Sequence, residues 1–129
     1  MRIRPSVEVT LGDRADLQAL LDLLTEWNRY ARSRAAATGR PFPPLLRSGV
    51  RYAREERVAG RIREDWQDVR HLFARKRGDC EDLACAYAAE VAGARAVPVR
   101  SSVGWHIIVR MPDGTYVDPS RALGMNGDG

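Results

Sequence analysis

The chain has 129 residues, enough for one domain with a real core and too few for two independent ones. Its 44% apolar and 29% charged residues read as a soluble globular protein, and no apolar run has the length of a bilayer-spanning helix. The formal charge of +4 is almost wholly arginine, because Lys76 is the sole lysine. The arginines are strung along the chain among Glu55, Glu56, Glu64, Asp65 and Asp68, which predicts a self-paired, solvated surface and no nucleic-acid or membrane partner.

Met1-Arg2-Ile3-Arg4-Pro5 lacks the apolar segment of a signal peptide, so nothing directs secretion by the usual route and a cytoplasmic protein is expected. Residues 3 to 11 alternate as a short strand through Val7, Val9 and Leu11. From Asp13, the spacing of Leu17, Leu20, Leu21, Leu24, Trp27 and Ala31 predicts a long helix that ends before Gly39. Arg40-Pro41-Phe42-Pro43-Pro44 is a stiff extended link. The segment 45–57 carries no clear period, and residues 58–76 are compatible with a helix whose stripe is Ile62, Trp66, Val69, Leu72 and Phe73. Within it His71 reads as a surface residue.

Gly78-Asp79-Cys80-Glu81-Asp82-Leu83-Ala84 reads as a turn opening into a second strong helix. Asp79 is a suitable N-cap, and Leu83, Ala84, Tyr87, Ala88 and Val91 recur at helical spacing before Gly93. Cys80 therefore falls in the first turn, where free N–H groups and the helix dipole favour a thiolate and could hold an oxyanion. The alternative is a small buried hydrophobe. Cys85 lies on the same helix, about 140° around and about 7.5 Å along, which rules out a disulfide without unwinding.

Two strands follow, 94–103 and 105–111, and Thr115-Tyr116-Val117-Asp118 runs back after Pro112-Asp113-Gly114. Pro-Asp-Gly suits a three-residue hairpin loop with glycine in the left-handed position. That loop pairs Met111 with Thr115, hence Ile108 with Asp118 and His106 with Ser120. His106 and Asp118 then share a face as diagonal neighbours, whereas a two-residue loop would separate them. With Cys80 they form a nucleophile, a base and an orienting carboxylate in the chain order Cys, His, Asp. The chemistry implied is acyl transfer from a peptide or amide through a thioester. Helices followed by antiparallel strands make the fold class α+β.

Cys80-Glu81-Asp82 after Gly78-Asp79, then Trp105-His106-Ile107-Ile108-Val109, then Val117-Asp118-Pro119, resemble the transglutaminase-like branch of the papain-like cysteine proteinases. The resemblance covers mainly residues 76–124. It implies a single domain over 1–129, with a mainly helical part at 1–75 and a catalytic core at 76–124. In that core the nucleophile sits at a helix N-terminus packed on a small antiparallel sheet. It assigns Cys80, His106 and Asp118 the nucleophile, base and orienter roles, and it implies a protein or peptide substrate. Ser48-Gly49-Val50-Arg51-Tyr52, Trp66-Gln67 and Asp118-Pro119-Ser120-Arg121 are similar to small phage and prophage tail-region proteins, which adds phage structural proteins as partners. Some bacterial members bind calcium beside the nucleophile. Asp79 and Glu81 occupy those positions here, but two carboxylates are too few for a calcium shell and no cofactor is expected. The family's second oxyanion donor lies upstream of the cysteine, where Trp66 and Gln67 stand. The competing reading is a phage-particle structural or assembly module on the same fold without catalysis.

Overall fold

The computed structural model describes residues 14–54, 57–58, 61–62, 66–102 and 104–126. The strand expected at 3–11 and the tail at 127–129 lie outside them. The fold mixes helices with small sheets. Its elements are α1 (Arg14–Ala37), a 3₁₀ turn (Leu45–Arg47), β1 (Arg51–Tyr52), β2 (Arg57–Val58), β3 (Arg61–Ile62), α2 (Val69–Arg75), β4 (Arg77–Gly78) and α3 (Cys80–Ala88). After these come β5 (Arg95–Ser101), β6 (Gly104–Arg110), β7 (Tyr116–Val117) and α4 (Pro119–Ala122).

The centre is α3, whose Leu83, Ala84, Cys85, Ala86 and Ala88 are all buried. A helix packed on every side needs small residues wherever a neighbour comes close. On one side Leu17, Leu21 and Leu24 of α1 join Ala84, Cys85 and Ala88, together with Ala96, Ile107 and Val109 of the three-stranded sheet. On the other, Leu83 and Ala86 meet Leu45, Val50, Val69, Leu72 and Phe73. Truncating a fully buried leucine such as Leu21 or Leu72 to alanine costs about 3 kcal/mol.

Polar ties fix α1 against this core. Gln18 Nε2 donates to the Ala96 carbonyl at 2.8 Å, and Arg29 caps the end of α3 by donating to the Ala88 carbonyl at 3.2 Å. The antiparallel sheet runs β5-β6-β7, while β1 pairs in parallel with β4, Tyr52 opposite Gly78.

The helix expected across 58–76 is shorter than its apolar stripe suggested. β2 and β3 pair antiparallel, Val58 opposite Arg61, and among the described residues of this stretch the helix is Val69–Arg75. A better start signal decides the boundary. Buried Asp68 caps α2 by accepting from the backbone N–H groups of Arg70 and His71. His71 is likewise not a surface residue, since its Nδ1 lies 2.9 Å from Asp68 Oδ1 and its side chain is mostly covered. No described helix is long and apolar enough to cross a membrane.

Candidate active site

Asp79 begins α3 as expected, and a full capping box forms because the Asp82 carboxylate reaches back to the Asp79 N–H at 3.1 Å. Cys80 follows at the first helical position. It is part-buried, and its thiol donates to Glu81 Oε2 at 3.4 Å.

The register of the β6–β7 hairpin follows the turn chemistry. Met111 N–H donates to the Thr115 carbonyl at 2.7 Å, Gly114 closes the loop at φ +89°, and Val109 stands opposite Val117. The ladder stops there. Asp118 leaves the sheet as the N-cap of α4, its Oδ1 accepting from Arg121 N–H at 3.2 Å, so Ser120 is helical and not a partner of His106. Asp118 nevertheless meets the histidine. His106 Nε2 lies 2.8 Å from Asp118 Oδ2, with the histidine side chain 8% and the aspartate side chain 21% exposed. A carboxylate only accepts, so Nε2 carries the proton and Nδ1 is left as the basic nitrogen.

The end of β7 also explains how the cysteine reaches the sheet. In an antiparallel ladder N–H groups point to alternate sides along a strand. Met111 bonds towards β7, so Val109 and Ile107 face the same way. Ile107 lies past the last residue of β7, and Cys80 packs against the buried cluster to which the Ile107 side chain belongs. Cys80 thus sits beside the residue that follows His106, while its thiol hydrogen bond goes to Glu81 and not to His106.

The electrostatics differ from the sequence expectation. Burial, then the charges of Glu81 and Asp79, push the Cys80 thiol well above its ordinary value, and the Ile107 N–H opposes this only in part. The helix dipole is outweighed because the capping and first-turn residues that complete α3 are themselves acidic. Cys80 N–H, the nearest oxyanion donor, is taken by Asp79 Oδ1 at 2.7 Å. Cys85 is fully buried and burial raises its thiol further, the behaviour of a structural cysteine.

Two residues around the site, Asp82 and Tyr52, were not assigned a role from the sequence. Asp82 is completely buried; its Oδ1 accepts from the Gln67 N–H at 2.7 Å and its Oδ2 from Gln67 Nε2 at 3.1 Å. Burial raises it to about 7 against these hydrogen bonds. Gln67 Nε2 also donates to the Arg77 carbonyl, so this amide is a brace between segments and not a spare oxyanion donor. Trp66, next to it, is buried in the core that Cys80 packs against. Tyr52, in register with Gly78, is raised to about 12, first by burial and then by Asp79 and Cys80, and so remains a neutral phenol beside the site. The signal that could have found Asp82 is its position three residues after a capping aspartate.

Asp79, Cys80 and Glu81 each bring one ligand atom within 4.8 Å of the others. Two carboxylates and a protonated thiol on consecutive residues mix hard and soft donors, and they fall short of a calcium shell of six to eight oxygens. Comparison of the chain with protein-family models, with curated proteins and with solved structures found no match.

Proposed function

We propose that this is a thiol-dependent acyl-transfer enzyme, most simply a hydrolase of a peptide or amide bond, built on a transglutaminase-like, papain-like core. The observation that carries the reading is the 2.8 Å contact of His106 Nε2 with Asp118 Oδ2, made on the strand whose next residue, Ile107, shares a core cluster with Cys80. A carboxylate on Nε2 fixes the tautomer whose Nδ1 can take a thiol proton. A register one residue out would have destroyed it.

In this reading the resting nucleophile is a thiol. Its proton passes to His106 Nδ1 as the sulfur attacks the acyl carbon, and Asp118 stabilises the imidazolium. The imidazolium then protonates the departing amine as the C–N bond breaks, leaving a thioester. Water, deprotonated by His106, cleaves the C–S bond, releasing the acid and restoring the thiol. An amine in place of water would give transamidation. For the Cys80 N–H to meet the oxyanion, Asp79 must give up that donor.

A second reading, a non-catalytic phage-particle module, draws support from two observations: the raised Cys80 thiol and the occupied Cys80 N–H. Alkylation of Cys80 by chloroacetamide across pH 6–9, followed by mass spectrometry, separates the two. The enzyme reading expects His106→Ala to slow Cys80 while Cys85 stays inert in both proteins. An unchanged Cys80 rate in His106→Ala removes the base and leaves the module.

A further inference from the structure

In the sequence the arginines look evenly mixed with acids. In the fold, five exposed cations converge instead. Arg51 and Arg77 are direct partners in the parallel β1–β4 pair. Arg51 N–H donates to the Lys76 carbonyl at 3.0 Å, Lys76 Nζ donates to the Ser48 carbonyl at 2.8 Å, and Ser48 follows Arg47. Arg75 ends α2 immediately before Lys76. Among the described residues none of the five makes an ion pair with a carboxylate. These are five of the 21 basic residues of a chain whose formal net charge is +4, brought onto neighbouring elements without a carboxylate partner.

Such a face is unfavourable in isolation. Like charges directly opposite on paired strands repel, and Lys76 takes a left-handed conformation (φ 62°) where glycine would be easier. The face also adjoins the candidate site. Arg77 precedes Gly78-Asp79-Cys80 in the chain, and the Arg51 guanidinium lies over Gly124 just past α4, the helix Asp118 caps.

We infer that the surface formed by Arg47, Arg51, Arg75, Lys76 and Arg77 binds an acidic segment of a polypeptide and presents the neighbouring chain to Cys80. This rests on the acyl-transfer reading for what happens at Cys80, but the binding itself does not. The chemistry favours a peptide over a nucleic acid. Among the described residues the large exposed aromatics, Tyr30 and Tyr116, are on α1 and β7, and Tyr52 beside Arg51 is half-buried, so the patch itself offers unpaired bases no fully exposed ring to stack on. The exposed apolar residue beside the patch is Leu46, next to Arg47, which suits a peptide side chain.

The probe is fluorescein-labelled deca-glutamate, read by anisotropy at 20 and 200 mM salt, with deca-glutamine and a random-sequence 20-base-pair DNA duplex as comparisons. Deca-glutamate should bind the wild type with marked salt sensitivity and deca-glutamine should not. Arg51→Gln with Arg77→Gln should weaken binding about tenfold. Arg14→Gln with Arg34→Gln, an equal loss of charge from exposed positions on α1, should leave it unchanged. Circular dichroism confirms that both variants fold. Equal loss in the two variants, equal binding of deca-glutamine, or tighter binding of the duplex would overturn the inference. Cys80→Ser tells the two readings apart, since it abolishes any thioester and should leave deca-glutamate binding intact.

Discussion

Replacing Asp82 by asparagine changes one fully buried carboxylate and almost nothing of its shape. In the folded protein this group is raised from 3.8 to about 7, chiefly by burial. The gap corresponds to roughly 4 kcal/mol in all. A raised acid contributes stability that is fully present below its unfolded value and lost as pH rises through its folded value. Between pH 5 and pH 8 that amounts to about 2–3 kcal/mol, with the protein more stable at pH 5. Asp22 and Asp68 act in the opposite sense. Arg95 holds Asp22 low, and the hydrogen bonds of His71 and Trp27 hold Asp68 low against its burial, so their stabilisation is lost only at lower pH. Urea unfolding followed by tryptophan fluorescence at pH 5 and pH 8 is the assay. The wild type should gain about 2–3 kcal/mol on acidification relative to Asp82→Asn. The same pH slope in both proteins, or a smaller gain in the wild type, would refute the assignment of Asp82 as a carboxylic acid kept near neutrality.

Glu81→Gln removes the charge that, after burial, most raises the Cys80 thiol, so alkylation at pH 7 should accelerate severalfold; an unchanged rate would show that burial alone sets the thiol. Asp118→Asn should cost about 1 kcal/mol through the weakened α4 cap and lower any turnover by roughly 10²–10⁴, with the far-ultraviolet spectrum unchanged. Gly78→Ala would put a Cβ 2.5 Å from Leu72 Cδ1 and 3.0 Å from Asp82 Cβ. The overpacking should cost about 1–3 kcal/mol, seen as a Tm lower by several degrees; an unchanged Tm would mean that Leu72 moves aside at no cost.

Much of the site was legible because it depends on local rules. A capping aspartate ahead of an apolar 3.6-residue period starts α3 at Cys80. Pro-Asp-Gly fixes a three-residue loop, and the loop fixes the parity of β6 against β7. That parity, set by Met111–Thr115, leaves Asp118 where its side chain meets His106 as β7 ends. The reading failed where a local signal competed with a distant one. The apolar stripe through 58–76 is genuine, yet α2 begins only after Asp68, whose capping carboxylate is also held by Trp27 Nε1 from α1, 41 residues away. The 3.6-residue period cannot register that contact.

The sequence by itself determined the start of α3, the hairpin register and the chain order of Cys80, His106 and Asp118, since each follows from neighbours within a few residues. Only the tertiary structure decided the rest. It raised the Cys80 thiol, because burial depends on what α1 and the sheet cover and outweighs the dipole of a helix whose first turn is acidic. It made Asp82 a buried brace, because Gln67 is brought to it from 15 residues away. It gathered Arg51 and Arg77 from scattered positions by pairing two short parallel strands. Charge is a property of residues, but its consequences depend on distance and dielectric, and both are set only when the chain has closed on itself.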